Sequence, residues 1–227
     1  MAKNKKKQEE EILVDLDTKV SSAEAWVENN KNYLVGFIAA IIIGVAGYLS
    51  FTRLYIAPRE KEAQYELYLA QELFEDENFL QAIEGDGNAL GFLAIAEEYR
   101  WTKASNLARY YTGVSYLNLA DYKNAIKHLD KFSTKDDILG VVKYGAIADA
   151  FLELNQPKEA LDYYTKATKQ SSNSLVTPIY LERAGQTAFL LEDHKKAMGF
   201  FTRLKKEFPE SNEARSAEKM VAKLSAK

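Results

Sequence analysis

Few side chains in this chain are of the types that do covalent chemistry. His128 and His194 are its two histidines. Either would act as a general base or a metal ligand only beside a carboxylate or a second nitrogen. Both fall on outer or turn positions of the helices their surroundings predict, away from any cluster of carboxylates. The acidic pairs Glu97-Glu98 and Asp136-Asp137 are adjacent in sequence. Neighbours on a helix diverge by about 100°, so neither pair converges on one point. They read as solvated faces or caps, with Asp136 or Asp137 placed to cap a following helix. Asp86 and Asn88 in the loop Gly85-Asp86-Gly87-Asn88 carry oxygens of the type calcium takes, but the rest of a binding loop is missing. The chain has no cysteine, which removes thiolate metal sites, a cysteine nucleophile and disulfides. It also has no phosphate-cradling glycine loop and no H-E-x-x-H pattern. The expectation is no enzyme, cofactor, metal or small-molecule substrate. What remains is recognition through apolar and aromatic surface.

That surface needs elements to carry it, and composition says which. The chain has 227 residues, 47% of them apolar, with a formal net charge of −3. The balance argues against nucleic acid as a partner, since such binders concentrate positive charge. With only four prolines and much alanine, leucine, lysine and glutamate, the sequence favours helices throughout.

Three stretches align without gaps: YLNLADYKNA (Tyr116–Ala125), FLELNQPKEA (Phe151–Ala160) and AFLLEDHKKA (Ala188–Ala197). Their last alanines are 35 and 37 residues apart. Lys123, Lys158 and Lys195 precede those alanines by two; Leu129, Tyr164 and Phe201 follow them by four. Phe132, Ala167 and Leu204 come three residues later, and Gly113, Ala148 and Gly185 lie twelve before each alanine. This pattern over roughly residues 104–210 resembles the tetratricopeptide repeat. In that family, small residues sit where two antiparallel helices cross and large ones fill the space between hairpins. Pro209 closes the third copy, where the family also tends to place proline. The resemblance implies an all-α fold, an α-solenoid of helical hairpins in which no hairpin buries its apolar face alone. Thr177-Pro178 reads as an N-cap and first helical residue. After Pro209, the stripe Ala214, Ala217, Val221 and Leu224 predicts a C-terminal capping helix.

Ahead of the repeats, Asn32–Thr52 is a run of 21 uncharged residues, bounded by Lys31 and Arg53. At about 1.5 Å per residue it spans the roughly 30 Å hydrocarbon core of a bilayer. Tyr33, Tyr48, Phe51 and Tyr55 lie towards its ends, where aromatic rings favour the headgroup level. On the N-terminal side stand Lys3, Lys5, Lys6, Lys7, Lys19 and Lys31, against Arg53, Arg59 and Lys61 beyond the run. This bias predicts a single-pass protein with a cytoplasmic N-terminus. Gly36, Ala40 and Gly44 recur every four residues, a smooth face where another transmembrane helix can approach. Residues 1–11 read as disordered, and 12–30 as a short amphipathic helix on Leu13, Leu16, Val20, Ala23 and Val27, with Trp26 near the membrane surface.

The domains expected are a cytosolic segment (1–31), a transmembrane helix (32–55), a linker helix with a degenerate first hairpin (56–103), and the repeats with their capping helix (104–227). In the linker, Glu60–Glu75 is predicted helical, burying Tyr65, Tyr68, Leu69 and Phe74. Phe79, Ala82 and Ile83 predict a short second helix, and Ala89–Tyr99 another.

First helices of tetratricopeptide hairpins line the concave surface of that family. The resemblance carries this role to Leu107, Tyr110, Val114 and Leu117; to Val142, Asp149 and Leu152; and to Ile179, Glu182, Gln186 and Phe189. The groove so drawn is apolar and aromatic, without the Lys and Asn positions of repeats that clamp acidic tails. An extended or helical hydrophobic segment suits it. Equally, helices from residues 60–99 would bury it.

WVENNK (Trp26–Lys31), one membrane helix and then a repeat domain together resemble the YfgM-like ancillary subunit of the SecYEG translocon. That resemblance implies an inner-membrane protein with its C-terminal domain in the periplasm. It also implies as partners Sec translocon subunits, a membrane-anchored periplasmic chaperone and exported clients. The alternative is a structural scaffold of another cell-envelope assembly or secretion machine.

Overall fold

The computed structural model describes the backbone of residues 2–225 and the side chains of residues 26–225. Two compact units emerge, Met1–Ile56 and Ala57–Lys227.

The first unit is helix α1 (Ala2–Ser50) followed by a π-helix, Phe51–Ile56. One helix therefore covers both the stretch expected to be disordered and the stretch expected to be a separate short helix. Lysine, glutamate and alanine are strong helix formers, and no glycine or proline interrupts the chain before Gly36. The predicted stripe residues Leu13, Leu16, Val20 and Ala23 lie outside the described side chains; Trp26 and Val27 are exposed. Among the described residues, one helix is long and apolar enough to cross a membrane. Its best window has a mean hydropathy of 2.3, with none of that window buried. Phe51 and Tyr55 stack at 5.2 Å within the π-turn.

The second unit runs through α2 (Ala57–Glu75), α3 (Phe79–Glu84), α4 (Phe92–Glu98), α5 (Lys103–Asn118) and α6 (Tyr122–Lys131). It continues through α7 (Asp137–Glu153), α8 (Pro157–Gln170), α9 (Thr177–Leu190), α10 (His194–Glu207) and α11 (Asn212–Ser225). Hairpins α5/α6, α7/α8 and α9/α10 stack in order, each second helix packing on the next first helix. Helix α11 closes the stack against α9 and α10, with Ala214 and Ala217 buried and Val221 and Leu224 packed on the core as the stripe predicted. The crossing positions behave as expected: a Cβ on Gly185 would stand 2.7 Å from the Phe201 ring, and one on Gly113 2.5 Å from Leu129.

All four hairpins, α2/α3 included, turn in the same way. Each turn holds one residue in the left-handed region: Glu77 (φ 61°), Ala120 (57°), Asn155 (55°) and Glu192 (59°). The N–H of each donates to the carbonyl three residues back. The next residue donates five back: Asn78 to Leu73, Asp121 to Tyr116, Gln156 to Phe151 and Asp193 to Ala188. These paired bonds satisfy carbonyls that a helix end otherwise leaves open. Ala82 then stands where Ala125, Ala160 and Ala197 stand, and Ala70 twelve residues earlier is likewise buried. The α2/α3 pair is thus a repeat-like hairpin whose second helix stops after six residues. Fully buried Phe92 and Ile95 of α4 fill the space beside it, Phe92 stacking on Tyr111 of α5 at 5.2 Å.

Three local expectations change, and a fourth is narrowed to one residue. Helix α2 buries Ala63, Leu67 and Ala70, while Tyr65 and Tyr68 are 63% and 56% exposed. Leu69 and Phe74 are half-buried. Close crossing by α3 and α5 favours small residues, and a tyrosine ring on the outer face keeps its hydroxyl in water. Helix α4 starts at Phe92 rather than Ala89, because Gly91 packs backbone to backbone on Ile83 and Gly85. Thr177 is the first residue of α9, not its cap; Val176 occupies that position, and the Thr177 hydroxyl donates to the Ser171 carbonyl at 3.0 Å. Of the two candidate caps for α7, Asp136 does the work, accepting from Ile138 and Leu139 N–H at 2.9 and 2.7 Å.

Candidate protein-binding groove

Helices α5, α7 and α9 carry the eleven residues assigned to the concave face. Ten are partly buried, and Gln186 is exposed. Three of them, Asp149, Leu152 and Gln186, line one cavity of about 360 Å³. Tyr164 of α8 and Arg183, Thr187 and Leu190 of α9 complete its wall. Leu107 instead packs into the apolar cluster of α2, α4 and α5. Tyr110 lies 5.1 Å from the Phe132 ring. Phe189 lies 5.4 Å from His194, with the Lys223 ammonium 5.0 Å from its ring. Val114, Leu117, Val142, Ile179 and Glu182 are half-buried along their helices and do not line this cavity.

At the cavity floor, Asp149 takes two donors from two other helices. The Tyr164 hydroxyl donates to one carboxylate oxygen, and the Arg183 guanidinium pairs with the other. Arg183 also stands 5.7 Å from the Tyr180 ring. Burial first, and then the hydrogen bond to Asp149, hold the Tyr164 phenol far above its ordinary pKa. Burial pushes Tyr180 up to about 12. Both phenols therefore stay protonated as donors at any physiological pH. The Arg183 side chain is 44% exposed, and its planar fork keeps N–H groups beyond those used on Asp149. Leu152 and the 68%-exposed Leu190 supply apolar wall. Such a pocket offers a fixed cationic donor between hydrophobic surfaces, which suits a peptide's carbonyl beside an apolar side chain.

Tyr164 is legible in sequence only as a large core position, and no repeat position marks Arg183. The available signal is that Asp149 and Arg183 are opposite charges on the inner helices of successive repeats. Their contact depends on the tilt between those helices.

The helices of residues 60–99 pack on α5, while this cavity is walled by α7, α8 and α9. The two histidines stand apart: His128 is half-buried 5.6 Å from Tyr116, and His194 begins α10. Asp86 turns its carboxylate onto the Asn88 and Ala89 N–H groups of its own loop. Among the described residues, no group of three or more His, Cys, Asp or Glu side chains is placed to hold a metal.

The tetratricopeptide repeat family matches residues 107–136, 144–174 and 181–211, the spans of α5/α6, α7/α8 and α9/α10. These hairpins are tetratricopeptide repeats. The repeat is a protein–protein interaction module, and here it forms an all-α solenoid. No curated protein matches the chain.

Proposed function

We propose that this chain is a membrane-anchored adaptor that holds other proteins in its repeat groove and performs no catalysis itself. The supporting observation is the pairing of a repeat cavity, apolar at its walls and cationic at Arg183, with an apolar helix whose side chains all face outward. Val35, Phe37, Ile38, Ile41, Ile42, Ile43 and Val45 are each about half exposed or more, a surface suited to lipid and costly in water. Residues 32–55 are the span, in the inner membrane, with the N-terminus cytoplasmic and the repeats periplasmic. The charge bias of the flanks and the resemblance to the YfgM-like family support that placement. They also support the Sec translocon and a membrane-anchored periplasmic chaperone as neighbours, with exported proteins as clients. Gly36, Ala40 and Gly44 are open on the helix surface, and Cβ atoms built on the two glycines meet nothing within 4 Å. They are the face where a second membrane helix docks.

In-membrane cross-linking and mild-detergent purification followed by mass spectrometry test this. Sec subunits and periplasmic folding factors are expected, and Gly44→Ile should deplete the membrane partner while retaining soluble ones. Recovery of another envelope machine alone would replace the Sec assignment with a scaffold role.

A further inference from the structure

A cavity of about 480 Å³ lies between α4, α5 and α6 and shares no residue with the cavity of the concave groove. Leu93 and Ala96 of α4 give it an apolar wall. The rest of its lining is charged or titratable. Arg100 follows α4, Arg109 comes from α5, and His128 and Lys131 come from α6, with Glu97 as the one carboxylate. A chain of net charge −3 thus gathers three full positive charges against one negative in a single cavity.

Helix chemistry accounts for only part of this. His128 and Lys131 stand in the last turn of α6, where positive charge suits the helix dipole. Arg109 is different, because it sits in the middle of α5 and is half-buried. Among the described residues, neither it nor Arg100 nor Lys131 forms an ion pair, and exposed Glu97 pairs with none of them. Withdrawing a guanidinium from water costs solvation that only an acceptor offsets. Burial first, and then Lys127, Lys131 and Arg109, depress the His128 pKa against the pull of Glu97, so the positive field reaches into the cavity.

We infer that this cavity is a protein-binding site separate from the groove, taking an acidic segment of a partner protein. Carboxylates of that segment sit on Arg100, Arg109 and Lys131, and an apolar side chain of it covers Leu93 and Ala96. A guanidinium fork matches a carboxylate with two parallel hydrogen bonds. A free phosphate would fill little of the cavity and leave its apolar wall in water, whereas a short peptide uses both. The inference stands on α4, α5 and α6 alone and needs neither the groove nor the membrane span.

The test uses the full chain in detergent micelles, read by fluorescence anisotropy. The probes are rhodamine-labelled ten-residue peptides with two to four glutamates around one leucine, set against the same peptides with glutamine for glutamate. The acidic peptides should bind and the amide peptides should not. Arg109→Gln should weaken binding at least about tenfold, the loss of one charge-assisted pair. Lys131→Gln, at an exposed position where substitution disturbs folding little, should weaken it about threefold. Acidic peptides that bind no better than their amide counterparts would overturn the inference, as would binding that both substitutions leave intact. Binding lost on Arg183→Gln but kept on Arg109→Gln would place the ligand in the concave groove, overturning this inference and supporting that site. Displacement of the peptide by micromolar inorganic phosphate would make the cavity a phosphate site and overturn it as well.

Discussion

His128 shows how a residue that reads as a catalytic candidate is instead defined by its surroundings. Burial first, and then Lys127, Lys131 and Arg109, depress its pKa below the ordinary 6.5. In the interval beneath 6.5 the unfolded chain thus binds more protons than the folded one, so stability falls as pH drops through it. Thermal melts at pH 7.5 and 5.5 should show this loss, and His128→Gln should reduce it; an unchanged difference would assign the slope elsewhere. Asp149 gives the second prediction at this scale. Asp149→Ala leaves the Tyr164 hydroxyl and Arg183 without their acceptor and should cost about 2 kcal/mol in urea unfolding. Tyr164→Phe removes only one partner of a single bond and should cost about 1 kcal/mol. Equal losses would show that Arg183 adds nothing to the hold on Asp149.

Elements in this protein are set mainly by backbone chemistry at their ends and small residues at their crossings. Asp136 is exposed and holds α7 through two N–H groups, so Asp136→Ala should cost about 1 kcal/mol by chemical denaturation, with Asp137→Ala near neutral. Gly185 faces Phe201 so closely that Gly185→Val must displace the ring or the helix. A loss of about 1–3 kcal/mol is expected, with Tm as the readout. The three later hairpins were legible because each repeats small and large positions at one period. Hairpin α2/α3 was harder to read, since the large residue expected four positions after Ala82 is Asp86, beyond the end of its short helix. Its turn bonds are what reveal the kinship.

At the scale of the whole molecule, hairpins depend on neighbours. The cluster of Ala63, Leu67, Ala70, Phe92 and Ile95 is shared with Ala104 and Ala108 of α5. A fragment starting at Lys103 should therefore expose the face of α5, melt at lower temperature than Ala57–Lys227 and self-associate in sedimentation analysis. A fragment as stable and monomeric as the longer one would show that the first hairpin is not part of the solenoid core. Membrane topology has its own check: a C-terminal alkaline phosphatase fusion should be active, and a C-terminal fluorescent protein that folds only in the cytoplasm dark.

The sequence by itself determined the helical class, the three matched repeats, the closing helix and the long apolar helix. Each of these is a periodicity in local residue type, visible without knowing what touches what. Only tertiary structure decided that Asp149, Tyr164 and Arg183 meet, that α2 buries alanines and not tyrosines, and that Arg59 and Glu60 fasten the turn between α4 and α5. Those contacts join residues up to 44 positions apart. They depend on crossing angles between helices, which no local pattern of residue types encodes.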